Sequence, residues 1–370
     1  MAMALFNINS GMVSLPNDIN GSLINFAYDL YGDIVYTQES EIVEEYILNH
    51  NNCIYRGKLR KLGNYLVDQY GKRIQLRGIG LHSILQYRNL HTKEAFESLK
   101  LYGINCVRIS VYLSDYSFKH SDGFEHIGYI NAPDETKTEI ERVINLCIEL
   151  GLYAIIDWHT MADEITNGMI PYQDEAVAFF EYFAEKYANI PNVLYELQNE
   201  PYNAVQESLA NYVKAERDAI VKYVDSPVMI VGSRGGYFGN TVEYVESVGI
   251  TDVFYSQHFY SDELTTSVFS GVTAQVPFIC TEWSNASEAA NATGDNAEAC
   301  NAFMNYMYDN KISNCAWKFT DQAHVFSVLK NRGSINDSYY SGGFSDEDLT
   351  VWGSLFFTNN YRYNFFEDLK

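Results

Sequence analysis

The chain has 370 residues, enough for one large domain or two of ordinary size, and either arrangement allows a sizeable core. It carries 25 Lys and Arg against 48 Asp and Glu, which gives a formal net charge of −23. Because this charge repels phosphate backbones and anionic lipid surfaces, it excludes nucleic acid and membranes from the expected partners.

Residues 1–55 lack the alternation of strands and helices that follows. We expect them to form an N-terminal extension, packed on the main domain or left from a neighbouring module. The extension ends in an acidic segment, 39–49, that we predict to be helical because its apolar side chains fall on one side. The first residues have neither the basic start nor the long apolar core of a secretory signal, so the signal has been removed or the protein stays inside the cell.

From residue 57 the pattern becomes regular. A predicted hairpin, formed by 65–68 and 74–76, leads into a series of short apolar runs that we predict to be strands. These runs cover 78–82, 105–110, 153–159, 192–200, 227–232, 253–258, 277–283 and 314–319. Helical periodicity lies between many of them, at 93–101, 135–150, 174–187, 205–224 and 297–309.

Eight continuous apolar strands alternating with helices are typical of an α/β protein whose parallel strands are buried on both faces. A doubly wound open sheet is the alternative, and it predicts a glycine-rich phosphate loop after the first strand. Here Gly78 and Gly80 run into Leu81 and His82 without that loop. We therefore predict a (β/α)8 TIM barrel over 56–370, preceded by the extension. The six cysteines lack metal-type spacing, and we expect buried free thiols.

Two of the predicted strands end in a glutamate. Strand four ends at Asn199-Glu200-Pro201, and strand seven carries Glu282 followed by Trp283. Each glutamate alone could cap a strand or pair with an arginine. Two such glutamates at the same end of a barrel instead favour a catalytic pair, one acting as a general acid and the other facing it.

The carboxyl ends of barrel strands share one mouth, and polar or aromatic residues are predicted there on nearly every strand. The set is His82, Arg108, Tyr112, Trp158, His159, Asn199, Glu200, His258, Tyr260, Glu282, Trp283 and Trp317. Glycoside cleavage needs an acid to protonate the departing oxygen, and Glu200 can do so if its neutral form is favoured. It also needs a nucleophile, which Glu282 can supply if Arg108 and Tyr260 hold it ionised.

The remaining residues of this set have several possible uses. Asn199 could hold a sugar 2-hydroxyl, and Trp317 offers a flat face for a pyranose ring. His159 and His258 could bind hydroxyls or the carboxylates, while Trp158 and Trp283 could equally face the core. A zinc or manganese site made by His82, His159, His258 and Glu200 is the competing interpretation, but it leaves the arginine, the amide and the tryptophans without roles.

Several motifs together resemble glycoside hydrolase family 5, the cellulase-type retaining barrels of clan A. They are Gly78-Ile79-Gly80-Leu81-His82, Val107-Arg108, Trp158-His159, Asn199-Glu200-Pro201, His258-Phe259-Tyr260 and Glu282-Trp283, in order over about residues 57–362. The resemblance implies that Glu200 is the acid/base and Glu282 the nucleophile. It assigns the rest of the site to Arg108, His159, Asn199, His258, Tyr260 and Trp317. It implies an endo-β-1,4-glucanase that acts with retention and without a cofactor or metal.

The sequence departs from that family's pattern after strand eight, where the expected lysine and glutamate are missing and Lys318 or Asp321 could replace them. Tyr87 and Tyr237 stand where tryptophan platforms often lie. Substrate binding is therefore also assigned to His82, Tyr112, Tyr237 and Lys318. The preferred polymer is cellulose or mixed-linkage glucan, with xyloglucan or mannan as alternatives. A non-catalytic carbohydrate-binding barrel also stays open. We expect a secreted monomer that can form one module of a larger protein.

Overall fold

The computed structural model describes residues 27–28, 34–35, 53–117, 125–233, 238–260, 264–267, 269, 276–286, 297–322, 324–331 and 343–367. Most of the expected N-terminal extension, including the predicted helix at 39–49, lies outside these residues. Within the extension, Ala27–Tyr28 pairs with Ile34–Val35 in an antiparallel two-stranded sheet. A short helix, Cys53–Arg56, then leads into the main domain.

Eight parallel strands form the centre of the described structure, and the predicted (β/α)8 barrel is confirmed. They are β1 (Arg77–Leu81), β2 (Cys106–Tyr112), β3 (Tyr153–His159), β4 (Val193–Gln198), β5 (Met229–Gly232), β6 (Phe254–Ser256, resumed as Phe259–Tyr260), β7 (Cys280–Ser284) and β8 (Asn314–Phe319). Consecutive strands are neighbours, and β8 pairs with β1. The ring closes between β6 and β7, where the Tyr255 amide donates to the Pro277 carbonyl at 2.9 Å.

Helices surround these strands. In the described residues they are α1 (Lys93–Leu101), α2 (Pro133–Leu150), α3 (Gln173–Lys186), α4 (Gln206–Ile220), α5 (Phe238–Glu246), α6 (Ala297–Asp309) and α7 (Val351–Glu367). The longest of them, α2, begins with Pro133 and an acidic first turn, and it ends at Gly151 in the left-handed conformation. Both features are favoured at those helix ends. None of the described helices combines the length and the apolar character needed to cross a membrane.

The sequence prediction of the first hairpin is confirmed in part but incomplete. Val67 forms an antiparallel bridge with Arg73, and the Ile74 amide donates to the Leu66 carbonyl at 3.1 Å. Tyr65–Val67 also pairs with a strand that was not predicted, Arg60–Leu62. The two-residue turn between these strands contains Gly63 at φ 59°, a conformation that glycine adopts without strain. The strand Arg60–Leu62 gives no apolar signal in the sequence, because Arg60 and Lys61 are polar and face partly toward solvent.

The barrel interior changes from apolar to charged along the strands. Its lower layers hold Cys106, Tyr153, Ile155, Leu194, Val228, Ile230, Phe254, Ile279 and Cys315. Leu66 of the hairpin packs against this floor. Because side chains on a strand alternate between two faces, the next inward positions on β2, β3 and β4 are Arg108, Asp157 and Glu196, all fully buried. All six cysteines are buried and free, as predicted.

Two strands are irregular at the upper end of the barrel. Glu196 of β4 pairs with Ile230 of β5, but Gln198 pairs with the next residue, Val231. The extra residue leaves Leu197 and Gln198 both facing the helices, so Asn199 returns to the interior. A methyl group on Gly232 would lie 1.7 Å from the Asn199 carbonyl oxygen, which is why only glycine fits there.

A similar shift occurs in β7, between Cys280 and Trp283. It lets two consecutive residues, Thr281 and Glu282, both face the interior, where each contacts the buried charges. Both predicted catalytic glutamates thus lie at or just after an irregularity in a strand.

Candidate active site

Arg108 occupies the centre of the site and is fully buried. Its Nε and Nη2 donate to the two carboxylate oxygens of Glu196 at 2.6 and 3.0 Å. Nη2 also donates to Asn199 Oδ1 at 2.7 Å and lies 2.9 Å from Asp157 Oδ2. Nη1 donates to Glu282. One guanidinium therefore orients three carboxylates and the side chain of Asn199.

Glu282 is held in its ionised form. The Tyr260 hydroxyl donates to Glu282 Oε2, and Arg108 donates to Oε1. Burial alone raises the pKa of this carboxyl, but the nearby His258 and Arg108 charges and the Tyr260 hydrogen bond outweigh it and lower the pKa to about 2. A buried carboxylate that stays ionised at mildly acid pH is suited to attack an electrophilic carbon.

Glu200 has a different environment, because 18% of its side chain is exposed. Its Oε1 accepts a hydrogen bond from the Tyr202 hydroxyl at 2.9 Å and lies 2.7 Å from His258 Nδ1. One oxygen of Glu200, one of Glu282 and a ring nitrogen of His258 all lie within 4.8 Å of one another. The two glutamates thus face each other across the mouth, as the sequence predicts.

His258 connects the two glutamates to the buried charges. Its Nε2 lies 3.1 Å from Thr281 Oγ1, and that hydroxyl donates to Glu196 at 2.7 Å. Since the hydroxyl proton of Thr281 is used on Glu196, its oxygen accepts from His258 Nε2. Burial lowers the pKa of His258, but the charges of Glu282 and Glu200 raise it overall above its ordinary value.

Aromatic residues form the other side of the mouth. The Trp317 ring stacks on His159 with a centroid separation of 5.8 Å and an angle of 8°. It also meets the edge of His82 at 5.5 Å, and Nδ1 of His82 lies 2.9 Å from the Tyr112 hydroxyl. His82, Tyr112, His159 and Trp317 are therefore brought together, as predicted.

The sequence profile described as Cellulase (glycosyl hydrolase family 5) matches residues 67–323, more than half of the chain. The chain belongs to glycosyl hydrolase family 5. The matched segment includes every strand of the barrel and all the site residues described above.

Curated relatives of this family 5 hydrolase carry the name endoglucanase. One from Clostridium saccharobutylicum is 27% identical over 308 residues, covering 81% of this chain and 64% of the relative. Endoglucanase A from Butyrivibrio fibrisolvens is 26% identical over 326 residues, covering 84% and 70%. The chain thus spans about two thirds of the length of these relatives.

Solved structures share the fold. The catalytic domain of the Thermobifida fusca endoglucanase Cel5A, in complex with cellotetraose, superposes with a TM-score of 0.70 at 22% identity. The match covers 83% of this chain and 98% of that domain. At this identity the likeness supports the barrel of the family 5 hydrolase rather than its substrate.

The prediction missed three residues of this family 5 site: Asp157, Glu196 and Thr281. Asp157 Oδ2 lies 2.5 Å from His159 Nδ1 and orients that ring. Burial raises the pKa of Glu196 to about 7, with Asp157 adding to the effect and Arg108 opposing it. An acidic residue inside an apolar strand was the available signal, because a buried charge needs a partner.

Other predicted residues lie elsewhere. Trp158 and Trp283 are in the core, where their indole nitrogens donate to the Tyr212 hydroxyl at 3.1 Å and to Asn314 at 3.0 Å. Lys318 Nζ lies 5.9 Å from the Trp317 ring, so this side chain is close to the mouth. Tyr237 lies outside the described residues. Tyr87 is fully buried behind His82 and cannot serve as an exposed platform.

The four residues of the alternative metal site, His82, His159, His258 and Glu200, do not come together as one ligand set. His82 is engaged by Tyr112 and His159 by Asp157, so these rings do not converge with Glu200. In the described part of the chain, Glu200, His258 and Glu282 are the ligand-type groups that approach one another. Arg108 donates to Glu282 there, and a guanidinium on a ligand carboxylate opposes the binding of a cation. The residues present therefore favour a hydrogen-bonded carboxylate pair.

Proposed function

We propose that this chain is an endo-β-1,4-glucanase that acts on cellulose and mixed-linkage glucan by a retaining double displacement. Glu200 is the acid/base and Glu282 the nucleophile. The observation that carries the proposal is the approach of the two carboxylates to within 4.8 Å at their nearest oxygens. Retaining enzymes keep their carboxyl groups about 5–5.5 Å apart, whereas inverting enzymes leave about 6.5–9.5 Å for a water molecule.

The contacts suggest a role for each group. Glu282, ionised by its neighbours, attacks the anomeric carbon while Glu200 protonates the departing oxygen. A covalent glycosyl-enzyme results. Glu200 then removes a proton from the incoming water, which releases the sugar with its original configuration. Arg108 and Tyr260 hold the nucleophile throughout, and Asn199, which accepts from Arg108 and directly precedes Glu200, binds the 2-hydroxyl.

The substrate class follows from the relatives and from the mouth. Relatives named endoglucanase support a β-glucan, and the Trp317 face beside His159 is suited to a flat pyranose ring. We propose that Lys318 or Asp321 takes the place of the lysine and glutamate expected to hold the neighbouring sugar. Because a polysaccharide is met outside the cell, we propose that the protein is secreted, acts as a monomer and can form part of a larger protein.

A reducing-sugar assay tests the substrate. Carboxymethyl cellulose, barley mixed-linkage glucan, xyloglucan and glucomannan are compared with and without EDTA. We expect release from the first two that EDTA does not change. Release only from xyloglucan or glucomannan would transfer the assignment to those polymers. Release from none would favour a carbohydrate-binding barrel, and loss with EDTA would favour a metal-dependent hydrolase.

A second experiment tests the two glutamates. Glu282→Gln should abolish turnover, while Glu200→Gln should keep activity on a dinitrophenyl cellobioside, whose leaving group needs no proton. Proton NMR of the first product should show the β-anomer. Glu139→Gln is the matched control, since Glu139 is also buried but pairs with Arg142. Full turnover by Glu282→Gln would refute the mechanism.

A further inference from the structure

We propose that Tyr202 is a positioning residue for Glu200. In this role its hydroxyl and His258 occupy Oε1, so that Oε2 carries the proton given to the leaving group. The inference rests on the proposed role of Glu200 as the acid/base. Tyr202 was not among the predicted site residues, since nothing in its sequence position marks it.

The hydrogen bonds on Glu200 carry the argument. Oε1 accepts from the Tyr202 hydroxyl at 2.9 Å and meets His258 Nδ1 at 2.7 Å. Because His258 Nε2 donates to Thr281, Nδ1 donates to Glu200 when the ring is protonated, and the raised pKa of His258 favours this form. A carboxylate oxygen has two lone pairs in its plane, and the two donors then use both of them. Among the described residues no hydrogen bond engages Oε2. The proton of the neutral form therefore belongs on Oε2, which is the oxygen that must face the glycosidic bond.

The chain following Glu200 fixes Tyr202 in this position. Pro201 has a restricted φ, and the turn is closed by hydrogen bonds from the Tyr202 amide to the Glu200 carbonyl at 2.8 Å and from the Ala204 amide to the Pro201 carbonyl at 3.1 Å. The Glu200 amide itself donates to the Thr160 carbonyl at 3.2 Å. The turn thus brings the Tyr202 hydroxyl to the carboxylate of Glu200, two residues earlier in the chain. Tyr202 remains 37% exposed at the rim of the mouth.

The hydroxyl has a defined effect on the acid. A donor to a carboxylate stabilises its ionised form relative to its neutral form. In the part of the chain that the structure describes, the other charged or titratable groups around Glu200 are His258, Tyr260, Glu282 and, beyond them, Arg108. All of these remain when the Tyr202 hydroxyl alone is removed. Tyr202→Phe therefore isolates one hydrogen bond on one oxygen of the acid/base.

The experiment compares Tyr202→Phe with Tyr182→Phe. Tyr182 is also 37% exposed and also donates to a glutamate, Glu141, but on the outer helices. For Tyr202→Phe we expect kcat/KM to fall about 10-fold on phenyl β-cellobioside, the size of one hydrogen bond to a charged group. On dinitrophenyl cellobioside, which needs no acid, it should be unchanged. The alkaline limb of the pH profile should move to higher pH, because a donor to the carboxylate has been removed.

Tyr182→Phe should match the wild type on both substrates and across pH. Equal losses on both substrates with an unmoved alkaline limb would overturn the inference, because a packing effect does not depend on the leaving group. The Glu200→Gln variant distinguishes a failure of the role of Tyr202 from a failure of the proposed function. If Glu200→Gln shows no dependence on the leaving group, the acid/base assignment itself is wrong. If it shows that dependence and Tyr202→Phe does not, only the role of Tyr202 is wrong.

Discussion

Replacing Arg108 with lysine should destabilise the protein strongly although the charge is kept. Arg108 makes five contacts, through three nitrogens, to Glu196, Glu282, Asp157 and Asn199. A lysine ammonium has three donors on one atom and cannot reach all these groups, so at least two contacts are lost. At about 1.5–3 kcal/mol for each hydrogen bond to a charged group, the loss is about 3–6 kcal/mol. This agrees with about 3–5 kcal/mol for breaking a buried ion pair.

Thermal unfolding measures this effect. With about 2 °C per kcal/mol for a large domain, we expect the Tm of Arg108→Lys to fall by about 6–12 °C. Arg217→Lys is the matched control, since Arg217 makes a similar paired contact with Asp252 but on the partly exposed surface. A surface pair contributes about 0–1 kcal/mol, so its Tm should change little. Equal shifts for the two variants would refute the view that the central guanidinium holds the site together.

Two pH effects should also be measurable. Tyr260→Phe removes a hydrogen bond that lowers the pKa of Glu282, so this pKa should rise from about 2 and move the acid limb of kcat/KM to higher pH. An acid limb at the same pH in Tyr260→Phe and in the wild type would contradict this. Glu216, fully buried with Gln198 as its hydrogen-bond partner, has a pKa that burial raises well above its ordinary value. Between the pKa of Glu216 in the unfolded chain and its higher pKa in the folded protein, only the folded protein keeps this carboxyl protonated. The free energy of unfolding therefore falls as pH rises through this range, by about 1.4 kcal/mol per pH unit at most. Glu216→Gln should therefore match the wild-type Tm near pH 4 and exceed it near pH 7, and a constant Tm difference would contradict the buried acid.

The order of the barrel strands could be predicted because each one is a continuous apolar run between helical segments. A strand buried on both faces needs a continuous apolar run, and this run distinguishes it from the loops on either side. The first hairpin strand was missed because Arg60 and Lys61 are half-exposed and give no apolar signal. The register shifts of β4 and β7 also give none, since an extra residue in a strand does not change its composition.

The site could be predicted where a residue stands at the end of a strand. Glu200, Glu282 and Arg108 come together because the carboxyl ends of parallel strands meet at one mouth. The buried partners below them, Glu196 and Asp157, stand in the sequence inside otherwise apolar runs. Their contribution depends on distances across the barrel, and these distances appear only when the strands are assembled.

The extra residue in β4 sets a condition for moving this chemistry to another protein. Without it, the alternation of a regular strand would direct Asn199 toward the surrounding helices and away from Arg108. A designer who copied Asn199 and Glu200 onto an ideal barrel would therefore keep the residue types and lose the site. The unit that can be transplanted is the strand with its surplus residue and the glycine opposite it, Gly232, which makes room for the displaced backbone.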